Sequence, residues 1–172
     1  MKKIPLIRVQ SEIYVDGGQN LLGLAETTLP NLENMAESLQ GAGLLGEIEA
    51  LPTGQMSASE TTMNFRILYG TVNDYAVGKA YTFDVRVANE VEDPSTYNKE
   101  VMAERWSIRG PIKSKTPGNV APASAADASI VVSTRRIQHW VNGVEKLLFD
   151  PLNGIYRVNG VDMYAGVRAA IS

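Results

Sequence analysis

The clearest order in the chain has a period of two. Tyr81, Phe83, Val85 and Val87 alternate with Thr82, Asp84, Arg86 and Ala88, the pattern of a strand with one buried and one wetter face. Met63, Phe65 and Ile67 alternate with Thr62, Asn64 and Arg66 in the same way. Met102, Glu104, Trp106 and Ile108 do so less cleanly against Ala103, Arg105, Ser107 and Arg109. Glu12 to Val15 and Leu21 to Thr28 flank Asp16-Gly17-Gly18, whose glycines accept positive φ, and this predicts a first hairpin. Ile130 to Val141 is long enough for one extended strand, and Asn142-Gly143 is a type I′ turn signal leading into Val144 to Phe149. Asn153-Gly154 and Asn159-Gly160 add two further turns. Turn chemistry, rather than a repeat fold, explains the likeness of Val141–Glu145 (VNGVE) to Val158–Asp162 (VNGVD). Short strands between Gly, Pro and Asn punctuation predict a mainly β fold, an antiparallel sandwich or barrel, in a single domain over residues 1–172.

Helical signals are scarce. Thr71 is an N-cap candidate with Asp74 three residues on and Gly78 as a stop, which predicts one short helix over Val72 to Val77. Leu32, Met35, Ala36 and Leu39 also fall at helical spacing between Pro30 and Gly41. Two stretches read as extended loops, at about 39–48 and 111–127. Pro111 to Asp127 is rich in proline, alanine and serine, too poor in apolar surface to bury itself, so it is expected to be mobile in a free subunit and open to trypsin near Lys113 or Lys115.

Composition narrows the chemistry. Hydrophobic residues make up 44% and charged residues 20% of 172, ordinary for a globular chain. No apolar run approaches the ~18 residues of a membrane span, and Met1-Lys2-Lys3-Ile4-Pro5 begins no signal-peptide core. A cytosolic chain with no membrane anchor is the expectation. The absence of cysteine removes disulfides, thiolate nucleophiles and Cys-based zinc sites. A net charge of -3 has the wrong sign for gripping phosphate backbones, so any nucleic acid should be held loosely.

Four motifs suggest chemistry and fall short of it. Gly41 to Gly46 spells G-x-G-x-x-G, but no βαβ context surrounds it and a hairpin tip explains it better. His139 is the single histidine, and the sequence nominates no orienting partner for general-base work. Glu90, Glu92 and Asp93 lack calcium-loop spacing and read as a solvated strand end before Pro94. Arg135 and Arg136, near Trp140 and Lys146, point to opposite faces of a strand and so form no basic patch. No catalytic, cofactor or metal residue is nominated, and no cofactor is expected.

Thr28-Leu29-Pro30-Asn31-Leu32-Glu33, running to Gln40-Gly41-Ala42-Gly43, and the ending Tyr156-Arg157-Val158-Asn159-Gly160-Val161-Asp162 with its tail to Ser172, together resemble the major tail tube proteins of contractile-tailed bacteriophages. The resemblance spans nearly the whole chain, the middle matching in strand pattern and size. It implies a β-sandwich or barrel with one short helix, assembling edge to edge into hexameric rings. The rings would stack into a hollow inner tube within a contractile sheath, in a phage tail or a phage-tail-like particle such as a tailocin. The same resemblance implies self-association, contacts with sheath, baseplate and terminator proteins, DNA or other cargo in non-specific transit, assembly in the host cytoplasm and residence in the virion tail tube. It treats residues 32–39 as extended, against their local helical spacing. It also implies a basic, helix-like C-terminal tail, whereas Tyr164 to Ser172 carries only Arg168.

Such a subunit needs no nucleophile or metal; it needs sheet edges that continue into a neighbour and loops that reach the next ring. Gly41, Ala42, Gly43, Leu44, Leu45, Lys113, Lys115 and Pro117 are the candidates for ring stacking or neighbour contact. The wet strand faces nominate Glu60, Thr62, Asn64, Thr82 and Asp84 for a polar, net acidic lumen, with Arg66 and Arg86 on the same faces. The alternative reading is a soluble, monomeric small-molecule-binding β-barrel with a closed apolar interior. An enzyme on a β scaffold is disfavoured by the lone histidine and the lack of a triad or metal set.

Overall fold

The computed structural model describes residues 3–16, 20–21, 25–41, 43, 45–66, 74–122, 124 and 126–172. Strands β1 (Ile4–Val15), β2 (Asn20–Leu21), β7 (Ala80–Glu92), β8 (Lys99–Thr116), β10 (Arg136–Val141), β11 (Val144–Asp150), β12 (Ile155–Val158) and β13 (Val161–Asp162) form one antiparallel layer in the order β13-β12-β11-β10-β8-β7-β1-β2. A second layer runs β3 (Ala25–Thr28), β6 (Ser59–Phe65), β9 (Ala128–Thr134) and the end of β8. The sheets form a sandwich and do not close into a barrel. A separate two-stranded hairpin, β4 (Glu37–Leu39) with β5 (Ile48–Ala50), stands apart from both layers.

The alternating residues of β6, β7 and β9 set the core. Phe83, Val85 and Val87 from one layer meet Met63, Phe65, Ile130 and Val132 from the other, with Ile13, Ile108 and Ile112 between them, all buried. Strand β8 serves both layers: Ala80 pairs with Pro111, and from Ile112 onward β8 pairs with β9. Gly110 sits at that crossing, where a Cβ would fall on the Ser133 backbone carbonyl. The backbone approach, not φ, demands glycine there.

The long strand expected over Ile130 to Val141 is two strands. The chain leaves β9 after Thr134, Arg135 N–H donates to Arg109 O at 2.9 Å, and β10 continues in the other layer. Asn142-Gly143 makes the expected turn, at φ 48° and 78°. Residues 111–116 correct the expected 111–127 loop: they are the end of β8, and the loop starts at Pro117. Ser114, Lys115 and Thr116 pair with Val131, Ile130 and Ser129, a partner that local composition does not reveal.

Residues 32–39 are extended, as the family resemblance implies. Asn34 bridges Met56, and Glu37 to Leu39 pair with Ile48 to Ala50. Tertiary pairing overrides the helical spacing of Leu32, Met35, Ala36 and Leu39. Of the helix expected over Val72 to Val77, residues 72 and 73 and its cap Thr71 lie outside the described residues, Asp74 is in a 3-10 turn, and Tyr75 to Val77 are not helical. Gly17 and Gly18 of the first hairpin turn, and Ile67, likewise lie outside them. The α-helix among the described residues is instead α1, Ala165–Ile171, at the C-terminus, with Arg168 in its last turn.

Candidate assembly surfaces

Sheet edges come first. From Ile4 to Gln10, β1 pairs with β7 on one side and has no strand on the other among the described residues. Ile4, Leu6, Ile7 and Val9 are 46–65% exposed there. An apolar strand with open N–H and C=O groups is a template for pairing with another chain. In the second layer β3 is an edge among the described residues, paired with β6 alone.

The β4–β5 hairpin is the second surface. Met35 N–H donates to Gln55 O and Ser57 N–H to Glu33 O, both at 2.8 Å, holding its base. Gly54 lies against the Tyr164 ring, where a side chain would clash. The G-x-G-x-x-G sequence falls at the hairpin's far end; Gly41, Gly43 and Leu45 are exposed there, and Ala42 and Leu44 lie outside the described residues. Of the loop candidates on the other side, Lys113 and Lys115 belong to β8, with Lys113 paired to Glu60 and Lys115 Nζ donating to Tyr75 O at 3.3 Å. Pro117 is exposed at the start of the loop.

The nominated lumen residues do not share one surface. Glu60, Thr62 and Asn64 pair with Ser133, Val131 and Ser129, and together they form the outward face of the second layer. Thr82 and Asp84 belong to the first layer, on the opposite outer side of the sandwich. Asp84 is not a wet residue at all: it is 3% exposed, with Arg105 Nη2 donating to its Oδ2 at 2.7 Å. Around it the first layer's outward face carries Arg86 stacked on Tyr14 at 4.4 Å and Arg105 over Trp140 at 5.0 Å. Alternation gives a residue's phase along its own strand; it does not say which layer a strand joins, so the two sets could not be separated from sequence.

Sequence reasoning also missed a partly buried polar cluster. Glu104 accepts from Asn89 Nδ2 at 2.6 Å and Trp106 Nε1 at 2.8 Å, and lies 2.9 Å from His139 Nε2. The signal was present, since Glu104 occupies the apolar phase of its strand between Met102 and Trp106. The acidic cluster is solvated structure: Glu90 pairs with Lys99 at 3.1 Å, and Asp93 accepts from Ser95, which holds its carboxyl below the usual range. Among the described residues no group of three His, Asp or Glu side chains is placed to hold a metal.

Unsatisfied strand edges, an exposed apolar hairpin and two polar outer faces define a protein built for contact with other protein surfaces. The phage tail tube protein FII family model matches residues 9–171, and the chain belongs to that family. No curated protein matches it significantly. Membership makes the chain a structural tail tube subunit of the virion tail with a non-enzymatic role, and implies self-assembly into a tube and contact with other tail components.

Proposed function

We propose that the chain forms hexameric rings that stack into the inner tube of a contractile phage tail or phage-tail-like particle, a conduit for DNA or other cargo. The free apolar edge of β1 carries the proposal: it supports ring closure by strand addition between neighbouring subunits. The β4–β5 hairpin and the loop from Pro117 supply reach to an adjacent ring. Cargo passes by the second layer's outward face, whose side chains are short and polar. The sandwich leaves no closed apolar interior of the kind the small-molecule-binding barrel requires.

Sedimentation and negative-stain microscopy of the purified chain test this. Rods with six-fold rings are expected; a chain that stays at the 18.7 kDa of a monomer at every concentration, with no rods, defeats it.

A further inference from the structure

The step between layers gathers arginines. In one continuous strand Arg135 and Arg136 would point apart, but residue 135 lies between β9 and β10, where the alternation breaks. Both line a single cleft of about 320 Å³, together with Arg109. Arg109 and Arg136 are also direct partners on β8 and β10, where Cβ atoms stand about 5 Å apart and like charges repel.

One acid answers these three bases. Asp150 lines the cleft 4.0 Å from Arg136, and its oxygens already accept from the Asn153 N–H and Nδ2. Arg136 Nη2 donates to Gln138 Oε1 at 3.1 Å. Among the described residues, exposed Arg109 and Arg135 have no carboxylate within ion-pair distance. Three guanidinium groups against one carboxylate leave the cleft at +2, in a chain whose net charge is -3. Planar guanidinium forks match phosphate oxygens bidentately, and an anion between Arg109 and Arg136 replaces their repulsion by two attractions. A phosphate monoester carries about -1.5 to -2 at pH 7, close to the charge the cleft leaves unanswered.

We propose that the Arg109–Arg135–Arg136 cleft binds a phosphate-type dianion, either the free ion or the end group of a small phosphorylated molecule. Ala80, Pro111 and Leu152 supply an apolar wall for the organic part of such a molecule. The arginines come from β8, from the connection between layers and from β10, so the bound anion ties together the crossing at Gly110. This site goes beyond the tube reading and does not depend on it.

Calorimetric titration of the full-length chain with inorganic phosphate at fixed ionic strength tests the site. One phosphate per chain is expected, with an unfolding midpoint above that in sodium chloride of equal ionic strength. Arg109→Gln and Arg135→Gln alter exposed side chains and leave the fold intact; each should weaken binding roughly tenfold or more. Arg86→Gln, on the same outward face but outside the cleft, should leave the affinity unchanged. Methyl phosphate binding more tightly than the free ion identifies an end group as the ligand; equal or weaker binding identifies the free ion. Absence of saturable phosphate binding overturns the proposal, as does equal stabilisation by acetate. So does an equal loss in Arg86→Gln, which would show a diffuse charge effect in place of a site.

Discussion

His139 Nε2 lies 2.9 Å from Glu104 Oε1 while the imidazole stacks on Trp106, centroids 3.8 Å apart and rings 12° from parallel. The Trp106 indole donates to the same oxygen and Asn89 to the other, so one carboxylate satisfies three side chains between the layers. Burial pushes the Glu104 carboxyl up; the bonds from Asn89 and Trp106 and the nearby His139 and Arg8 outweigh it, and the group sits below the usual range.

A depressed carboxyl in the folded state contributes stability that is present above the unfolded value of about 4.3 and lost as pH falls through the folded one. Denaturant unfolding of the subunit should therefore weaken on acidification below about pH 4.3, and less steeply in Glu104→Gln. At pH 7, Glu104→Ala should cost about 1–3 kcal/mol, since the Trp106 and Asn89 donors are left unpaired. Superimposable pH–stability curves for wild type and Glu104→Gln would refute this account.

Gly110 makes a separate demand on the fold. Its Cβ position is filled by the Ser133 carbonyl where β8 passes between layers, so Gly110→Ala must push apart β8 and β9. The expected loss is about 1–3 kcal/mol, as for overpacking in a close-packed interior. Gly143, whose added Cβ meets nothing, is strained only by its φ of 78°. Thermal melts should rank Gly110→Ala below Gly143→Ala, and the reverse order would count against the crossing as the tighter point.

Strand phase was legible in the chain because burial repeats with the pleat: Phe83, Val85, Met63 and Phe65 all fall where alternation puts them. Partners were not. Nothing local to Ile112–Thr116 announces that β9 will pair with it, and its Lys113-Ser114-Lys115-Thr116 run between Pro111 and Pro117 resembles a loop. Nothing local to Thr62 and Thr82 says that they face opposite ways out of the sandwich. The extended course of residues 32–39 came from likeness to a family, because their own spacing favours a helix that cross-strand bonding overrules.

The strand at 111–116 changes what proteases should do. Lys115 pairs with Ile130, and Lys113 is a bulge residue held between the Ile112–Val132 and Ser114–Val131 pairs, so trypsin should spare both in the free subunit. Val120 and Ala121 are exposed beyond Pro117, and an elastase-type enzyme that cuts after small aliphatic residues should cleave the bond between them. Mass spectrometry of the first fragments reads the outcome. If assembly covers this loop, rods protect the same bond; early cutting after Lys115 would contradict the pairing.

The last expectation concerns which layer faces the cargo. Glu60, Thr62, Asn64, Ser129, Val131 and Ser133 present short, mostly polar side chains, with Lys113 tied to Glu60. At the margin Arg66 shares a groove with Glu26 and Asp127. Counting Glu26, Glu60 and Asp127 against Arg66 and Lys113 leaves that side at -1 per subunit. The opposite face carries Arg86, Arg105, Arg109 and Arg136, with Glu12 across the strand pair from Arg86, Asp84 bonded to Arg105 and Asp150 4.0 Å from Arg136; arginines repeated around every ring would still hold phosphates by counterion release. Weak retention during transit therefore favours the second layer as the lumen wall. Thr62→Cys should react in assembled rods with N-ethylmaleimide but not with a maleimide on a large polyethylene glycol, whereas Arg109→Cys should take both. Glu60→Lys removes the acid and adds a base, and should raise retention of short DNA in open-ended rods in a salt-dependent way. Large-reagent labelling of Thr62→Cys as fast as Arg109→Cys would place the lumen on the other face.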